Sequence, residues 1–263
     1  MIELTVVGCS GSVSGPHSPA SCYLVQAPFQ GRTYSLLLDL GPGAFGALYH
    51  YLDPARVDAI ALSHLHPDHC LDVCGFYVAA RYSITAPWPR IPLLGPPGTL
   101  ARLGRAYDVL APRGGPSEIG GLPDQLDVTD WRAEQALGPF TLRSARVRHP
   151  VDTFAVRVTE TATGANLTYT GDTGPSSELV ELARGTDLLL SEAAFVPADL
   201  AVAVHLTGAQ AGEHAAAAGA RALMITHVPP WHDPEAAADL ARECFDGETL
   251  IARAGGRWSV GTS

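Results

Sequence analysis

The chain has 263 residues, 46% hydrophobic and 17% charged, which excludes a disordered protein and suffices to bury a core without disulfide staples. Lys plus Arg number 17 and Asp plus Glu 27, a net charge of −10 that argues against a long nucleic acid or an anionic membrane as partner. A small anionic ligand stays compatible with that balance, because local charge can oppose the global sign. The length fits one domain over residues 1–263. The five cysteines, Cys9, Cys22, Cys70, Cys74 and Cys244, are odd in number and read as reduced thiols of a cytoplasmic protein. Cys70 and Cys74 form a CxxxC without a matching second pair, a weak zinc signal. The opening MIELTVVG lacks a basic region and a long apolar run, so it reads as a first strand, and no stretch is long enough to span a membrane.

In chain order, short apolar and β-branched runs predict strands at Leu4–Val7, Tyr23–Gln26 and Tyr34–Asp39, with a Gly/Ser/Pro loop over Gly8–Pro19. A helix follows at Ala44–Leu52, a buried strand at Val57–Leu62, a helix at Leu71–Tyr82, a strand at Ile91–Leu94 and a helix at Thr99–Leu110. Residues 111–124 are dense in Pro and Gly and predict a surface loop, serving as a lid or an interface. Strands are then expected around Leu126 and at Phe140–Val147, Phe154–Thr159 and Leu167–Tyr169. The remainder reads as helix Ser177–Ala183, strand Leu188–Leu190, a helix capped by Thr207 and running to Ala218, strand Leu223–Ile225, helix Pro234–Cys244 and two final strands. Strands first and mixed elements later, in two similar halves, point to two sheets face to face with helices outside, an αββα plan.

The strongest local signal is His64-Leu65-His66-Pro67-Asp68-His69, directly after a strand. Imidazoles and a carboxylate are natural ligands for zinc, manganese or iron, and a strand end followed by a tight turn fans them toward one point. His149 before Pro150, Asp172 in Thr170-Gly171-Asp172-Thr173, and His227 at the close of Leu223-Met224-Ile225-Thr226-His227 repeat the pattern of a ligand at a strand end.

In this order of motifs the sequence resembles the metallo-β-lactamase fold superfamily over nearly its whole length. The resemblance implies a four-layer αββα sandwich of two mixed sheets flanked by helices. It also implies two divalent metal ions, zinc first, with manganese or iron as alternatives. One ion would take His64, His66 and His149, the other Asp68, His69 and His227, with Asp172 and a catalytic water shared between them. The second half resembles the ribonuclease Z-like phosphodiesterases, through Leu188-Leu189-Leu190-Ser191-Glu192-Ala193, His205-Leu206-Thr207-Gly208 and Thr226-His227-Val228-Pro229-Pro230. In that chemistry Asp68, His205 and Glu192 are the catalytic candidates. His205 would contact phosphate and protonate the leaving oxygen, and Glu192 would orient its ring. Thr207 would cap the following helix or touch the phosphate.

Only 22 residues lie between His149 and Asp172, enough for two strands and a turn but not for the basic arm of long-form tRNA enzymes. With the net charge of −10, a small phosphodiester fits better than tRNA. The start, Val6-Val7-Gly8-Cys9-Ser10-Gly11-Ser12, with Ser18-Pro19-Ala20-Ser21, is similar to an actinobacterial subgroup of atypical cyclic-nucleotide phosphodiesterases, as is Glu178-Leu179-Val180-Glu181-Leu182-Ala183. That similarity implies hydrolysis of 3′,5′-cyclic AMP, and in the resembling phosphodiesterases a homodimer is the commoner arrangement. The Gly/Ser loop either offers amides to a phosphate or fills space beside the metals. His17 and His232 lie near these motifs without an assigned role. The alternatives are a carboxylic ester, thioester or lactone hydrolase of the same fold, or a non-catalytic metal-binding carrier.

Overall fold

The computed structural model describes residues 1–107, 122–196 and 203–261. Two seven-stranded mixed sheets lie face to face, in the αββα arrangement expected from the sequence. The first contains β1 (Ile2–Gly8), β2 (Cys22–Phe29), β3 (Arg32–Leu38), β4 (Ala59–Ala61), β5 (Ile91–Gly95), β6 (Leu126–Asp130) and β14 (Arg257–Val260) in the order β14-β1-β2-β3-β4-β5-β6. The second contains β7 (Glu134–Leu137), β8 (Phe140–Val147), β9 (Thr153–Glu160), β10 (Asn166–Tyr169), β11 (Leu188–Glu192), β12 (Ala222–Thr226) and β13 (Glu248–Ile251) in the order β13-β12-β11-β10-β9-β8-β7. Each sheet is antiparallel on one side and parallel on the other. The two halves thus repeat one plan.

The inner faces form one core, in which Tyr23, Phe140 and Tyr169 are nearly fully buried. Removing each such ring from water contributes about 1.5–3 kcal/mol. The outer face of the first sheet packs on α1 (Ala44–Leu48), α3 (Val73–Tyr82) and α4 (Thr99–Tyr107). The outer face of the second packs on α6 (Ser177–Ala183), α7 (Gly208–Ala218) and α8 (Pro234–Arg242). Short helices α2 (Pro67–Cys70) and α5 (Leu122–Gln125) complete the described elements. The central parallel strand β11, Leu-Leu-Leu-Ser-Glu, is buried at every position. That is why it reads as a continuous apolar run and not as an alternation.

Several expected boundaries shift for local reasons. The helix expected over Leu71–Tyr82 begins at Val73, because Asp72 turns its carboxylate to the amide of Phe45 at 2.9 Å. The helix from Ala44 stops at Leu48 instead of Leu52, and α8 ends at Arg242 instead of Cys244. The strand expected over Val57–Leu62 is paired only at Ala59–Ala61, since Val57 closes a 3₁₀ turn begun at Pro54. The edge strand β7 escapes the pattern because only Leu137 of its four residues is buried. Of the loop expected over 111–124, residues 111–121 lie outside the described residues, while Leu122 opens a helical turn. Residues 108–110 of the expected helix lie outside them as well. Among the described residues no helix is long and apolar enough to cross a membrane.

The topology places the chemistry. In the second sheet β9 runs against both β8 and β10, so β8 runs with β10, β11 and β12. The C-terminal ends of these four strands therefore share one edge, and His149, Asp172, Glu192 and His227 stand there. Asp39 and His64 follow the parallel strands β3 and β4 of the facing sheet. A cleft beyond the carboxyl ends of parallel strands is where open α/β sheets bind ligands.

Candidate metal centre

The sequence-selected residues converge at that edge in two clusters sharing Asp172. His64, His66, His149 and Asp172 form one, and Asp68, His69, His227 and Asp172 the other. Asp172, Glu192 and His205 make a third group alongside them, and in each group one donor atom per residue lies within 4.8 Å of the others. His66 begins the turn of α2, with Pro67 at its first position, where a proline ring costs no hydrogen bond. The turn brings Asp68 and His69 back under His64. Gly41 permits this approach: a Cβ there would lie 1.9 Å from the Asp68 carbonyl oxygen. Asp39 and His227 both adopt left-handed backbone, φ 59° and 55°. Such conformations in non-glycine residues cost about 1–3 kcal/mol and concentrate at functional sites.

The donor set fits a pair of cations. His69 Nε2 stands 3.2 Å from Asp172 Oδ1, and His227 Nε2 3.3 Å from the same oxygen. Yet these three buried atoms make no hydrogen bond of acceptable geometry. Ligands around a tetrahedral zinc are about 3.3 Å apart, given metal–ligand distances of roughly 2.0–2.1 Å. Close approach without hydrogen-bond alignment is what donors aimed at one ion show. In the other cluster His66 Nδ1 lies 3.0 Å from His64 Nε2 and 3.2 Å from His149 Nε2.

Burial pushes the His64 and His66 rings down and the His149 ring down to about 4, favouring the neutral form that a metal takes. Burial acts the same way on His69, but the charges of Asp172 and Asp39 outweigh it and raise that ring. Burial opposes ionisation of Asp172, and the surrounding histidines, His227 foremost, still hold its carboxyl well below the usual range.

Outer partners fix the ring orientations. His69 Nδ1 donates to Asp39 Oδ2 at 2.7 Å, and His227 Nδ1 donates to Ser21 Oγ at 2.9 Å. His149 Nδ1 donates to the Val204 carbonyl at 3.0 Å, and His64 Nδ1 donates to Ser63 Oγ at 3.0 Å. Asp39 also accepts from the Ser63 amide, the Ser63 hydroxyl and the Tyr169 hydroxyl at 2.6, 2.8 and 2.8 Å. Sequence reasoning missed Asp39 and Ser21. The available signal for Asp39 was an acidic residue ending the apolar run of β3, and Ser21 stood only in the Ser18-Pro19-Ala20-Ser21 resemblance, with no role attached.

His205 stands beside the clusters, its ring centroid 5.1 Å from that of His149. Its Nδ1 donates to Glu192 Oε1 at 3.0 Å and Oε2 at 3.2 Å. Glu192 is fully buried and further fixed by the amides of Thr173 at 2.6 Å and Ala194 at 3.2 Å. Burial works against a charged His205 ring, but Glu192 and then Asp172 outweigh it and push the ring up to about 9. Thr207 Oγ1 accepts from the Gln210 amide at 3.3 Å and Gln210 Oε1 accepts from the Thr207 amide at 3.0 Å, a capping box at the start of α7.

Other candidates go elsewhere. The Cys70 thiol, pushed up to about 12 by burial, donates to the Leu65 carbonyl, and Cys74 Sγ faces the Leu103 carbonyl, so neither joins the metal-ligand clusters found among the described residues. In the Gly/Ser loop the amides of Ser10, Gly11, Val13 and Gly15 donate to Pro19, Val228, Gly11 and Ser18 carbonyls. The loop braces the His227 segment, and those amides are already engaged. Trp88 is buried against Phe76, while Trp231 is exposed.

Residues 34–228 match the family described as Beta-lactamase superfamily domain, and the chain belongs to that superfamily. With its paired clusters, and among relatives of this kind, it is a dinuclear metallo-hydrolase. It is 45% identical over 253 residues to the uncharacterized protein Rv1339 of Mycobacterium tuberculosis, covering 94% of this chain and 88% of that one. It is 29% identical over 260 residues to the probable metallo-hydrolase YhfI of Bacillus subtilis, covering 98% and 99%. The crystal structure of YhfI superposes with a TM-score of 0.82 at 27% identity, over 99% of each chain. Ribonuclease Z of Myxococcus xanthus is 27% identical over 303 residues, covering 96% of this chain and 95% of that one.

Proposed function

We propose that the chain is a phosphodiesterase acting on a small cyclic nucleotide, with 3′,5′-cyclic AMP as first substrate. The observation that carries this reading is the His205–Glu192 pair, held at 3.0 Å next to the shared ligand Asp172. A phosphodiester has a poor alkoxide leaving group, and an acid placed beside the reacting centre answers that need. The similarity to a protein named ribonuclease Z supports phosphodiester chemistry.

Each part has an assigned role. His64, His66 and His149 would hold one divalent cation, Asp68, His69 and His227 the other, and Asp172 would serve both. Zinc is first choice for this donor set, with manganese or iron next. When bound, the pair supplies an acidified water as nucleophile and neutralises phosphate oxygens. Asp68 Oδ2, 3.7 Å from His227 Nε2 and 3.4 Å from His69 Nε2, also sits where it can steer the proton of the attacking water. His205, its Nδ1 proton committed to Glu192, presents Nε2–H to the phosphate and delivers that proton to the leaving oxygen. Glu192 fixes the ring through both carboxylate oxygens, and the Thr207 hydroxyl, whose oxygen serves the helix cap, keeps its proton for a phosphate oxygen.

The substrate is small on this reading, because β9, β10 and their turn fill the stretch from His149 to Asp172 and leave no arm for a tRNA. Five free thiols fit a reducing compartment, so we place the activity in the cytoplasm. The test compares wild type with His205→Ala on cyclic AMP and on an activated carboxylic ester. The reading expects the variant to keep both metals and lose phosphodiester turnover by about 10²–10⁴-fold. Full turnover in the variant, or a wild type that cleaves only the carboxylic ester, overturns it.

A further inference from the structure

A separate cavity of about 280 Å³ lies along the backbone on either side of His227. Thr226 and Val228, the chain neighbours of His227, form part of its wall, and Ala252 lies in its lining. Two imidazoles, His17 from the Gly/Ser loop and His232 from the turn before α8, also line it. Among the described residues around the cavity there is no Lys, Arg, Asp or Glu. It is therefore not built for a phosphate and suits an uncharged group. Proline rings, Pro229 among them, give it apolar surface, and the imidazoles offer hydrogen bonds that can be given or accepted. Apolar walls with a few polar contacts are what a flat heteroaromatic ring requires.

The cavity is joined to the reacting centre twice. Its wall shares backbone with the His227 segment. His232 Nδ1 donates to the Ala194 carbonyl at 3.1 Å, and the Ala194 amide donates to Glu192 Oε2 at 3.2 Å, the carboxylate that holds His205. We infer that this cavity is a nucleobase subsite, with His17 and His232 reading the edge of the base. The inference rests on the phosphodiesterase reading and deepens it. The base belongs either to the substrate itself or to a separate nucleoside, and kinetics distinguish the two.

Adenosine is the probe, titrated by calorimetry into metal-loaded wild type, Ala252→Leu and His17→Ala. Ala252→Leu fills the cavity and should weaken adenosine by about tenfold or more, since a side chain's worth of lost space is felt on that scale. His17→Ala, at an exposed rim position, should weaken it by roughly threefold to tenfold. Metal content and thermal midpoint verify that each variant is folded, and His17→Ala carries the test if the buried substitution is not tolerated. With cyclic AMP as substrate, adenosine that raises KM at constant kcat places the substrate's own base in the cavity. Adenosine that changes kcat at saturating substrate identifies a separate nucleoside bound there. Wild type that binds no adenosine, or binding unchanged in both variants, overturns the inference. Adenosine binding that the variants weaken, in a protein that does not cleave cyclic AMP, leaves the subsite standing and overturns the phosphodiesterase reading.

Discussion

The two halves of the metal centre share Asp172 but are built differently. Asp68, His69 and His227 are buried, and in the other half His64 is buried too, while His66 and His149 are half-buried. Behind the buried half stand a carboxylate in direct contact, Asp39, and a serine hydroxyl, Ser21. Behind the open half stand a backbone carbonyl, that of Val204, and the Ser63 hydroxyl, which itself reaches Asp39 only as a relay. A carboxylate behind an imidazole raises its basicity and fixes its tautomer more strongly than a neutral acceptor does. One half is thus the more enclosed and has a charged group directly behind it, while the other is more open to solvent and has neutral backing. His205, 5.1 Å from the His149 ring, stands on the open side.

Substitutions break this contrast in a graded way. Asp172→Ala removes the group common to both halves. Metal analysis should find both cations depleted, and turnover should fall by at least about a thousandfold. His149→Ala strikes the open half alone. Mass spectrometry under native conditions should show one cation retained and one lost, with turnover reduced by about 10²–10³-fold. Loss of both cations would show that the halves are not separable.

Asp39→Ala acts from behind. It strands the His69 ring nitrogen, the Ser63 amide and two hydroxyls, all buried, and should lower unfolding stability by roughly 3–5 kcal/mol in denaturant titrations. Its metal affinity should drop about 10–100-fold, with the His69 half affected first. Ser21→Ala is the mildest probe. Removing one neutral hydrogen bond to His227 should cost about 1 kcal/mol of stability. An effect of Ser21→Ala as large as that of Asp39→Ala would erase the distinction between the charged and neutral backing groups.

The open and buried halves also differ in how legible they were. His64, Asp172 and His227 were readable because each follows an apolar run, His149 because it ends a strand-like stretch before Pro150, and HxHxDH because it packs three imidazoles into six residues. The αββα plan was readable from element order, and the burial of every residue of β11 explains why its strand was plain. Asp39 was not, because an acidic residue after a strand is an ordinary turn residue until Tyr169, far away in sequence, is seen to donate to it. Ser21 contacts His227 across 206 positions, a separation that no local pattern encodes. The edge strand β7 lacked an apolar alternation because only Leu137 of its four residues is buried. The cavity beside His227 draws on the two ends of the chain, Cys9 to Ser18 and Ile225 to Ala252, and only folding brings them together.

Phosphodiester hydrolysis at this centre can be followed as product formation from 3′,5′-cyclic AMP with metal-reconstituted protein, beside a His66→Ala control. Wild type should yield AMP and the control essentially none. Absence of AMP from wild type with both cations bound, or equal turnover by the control, would contradict the phosphodiesterase reading.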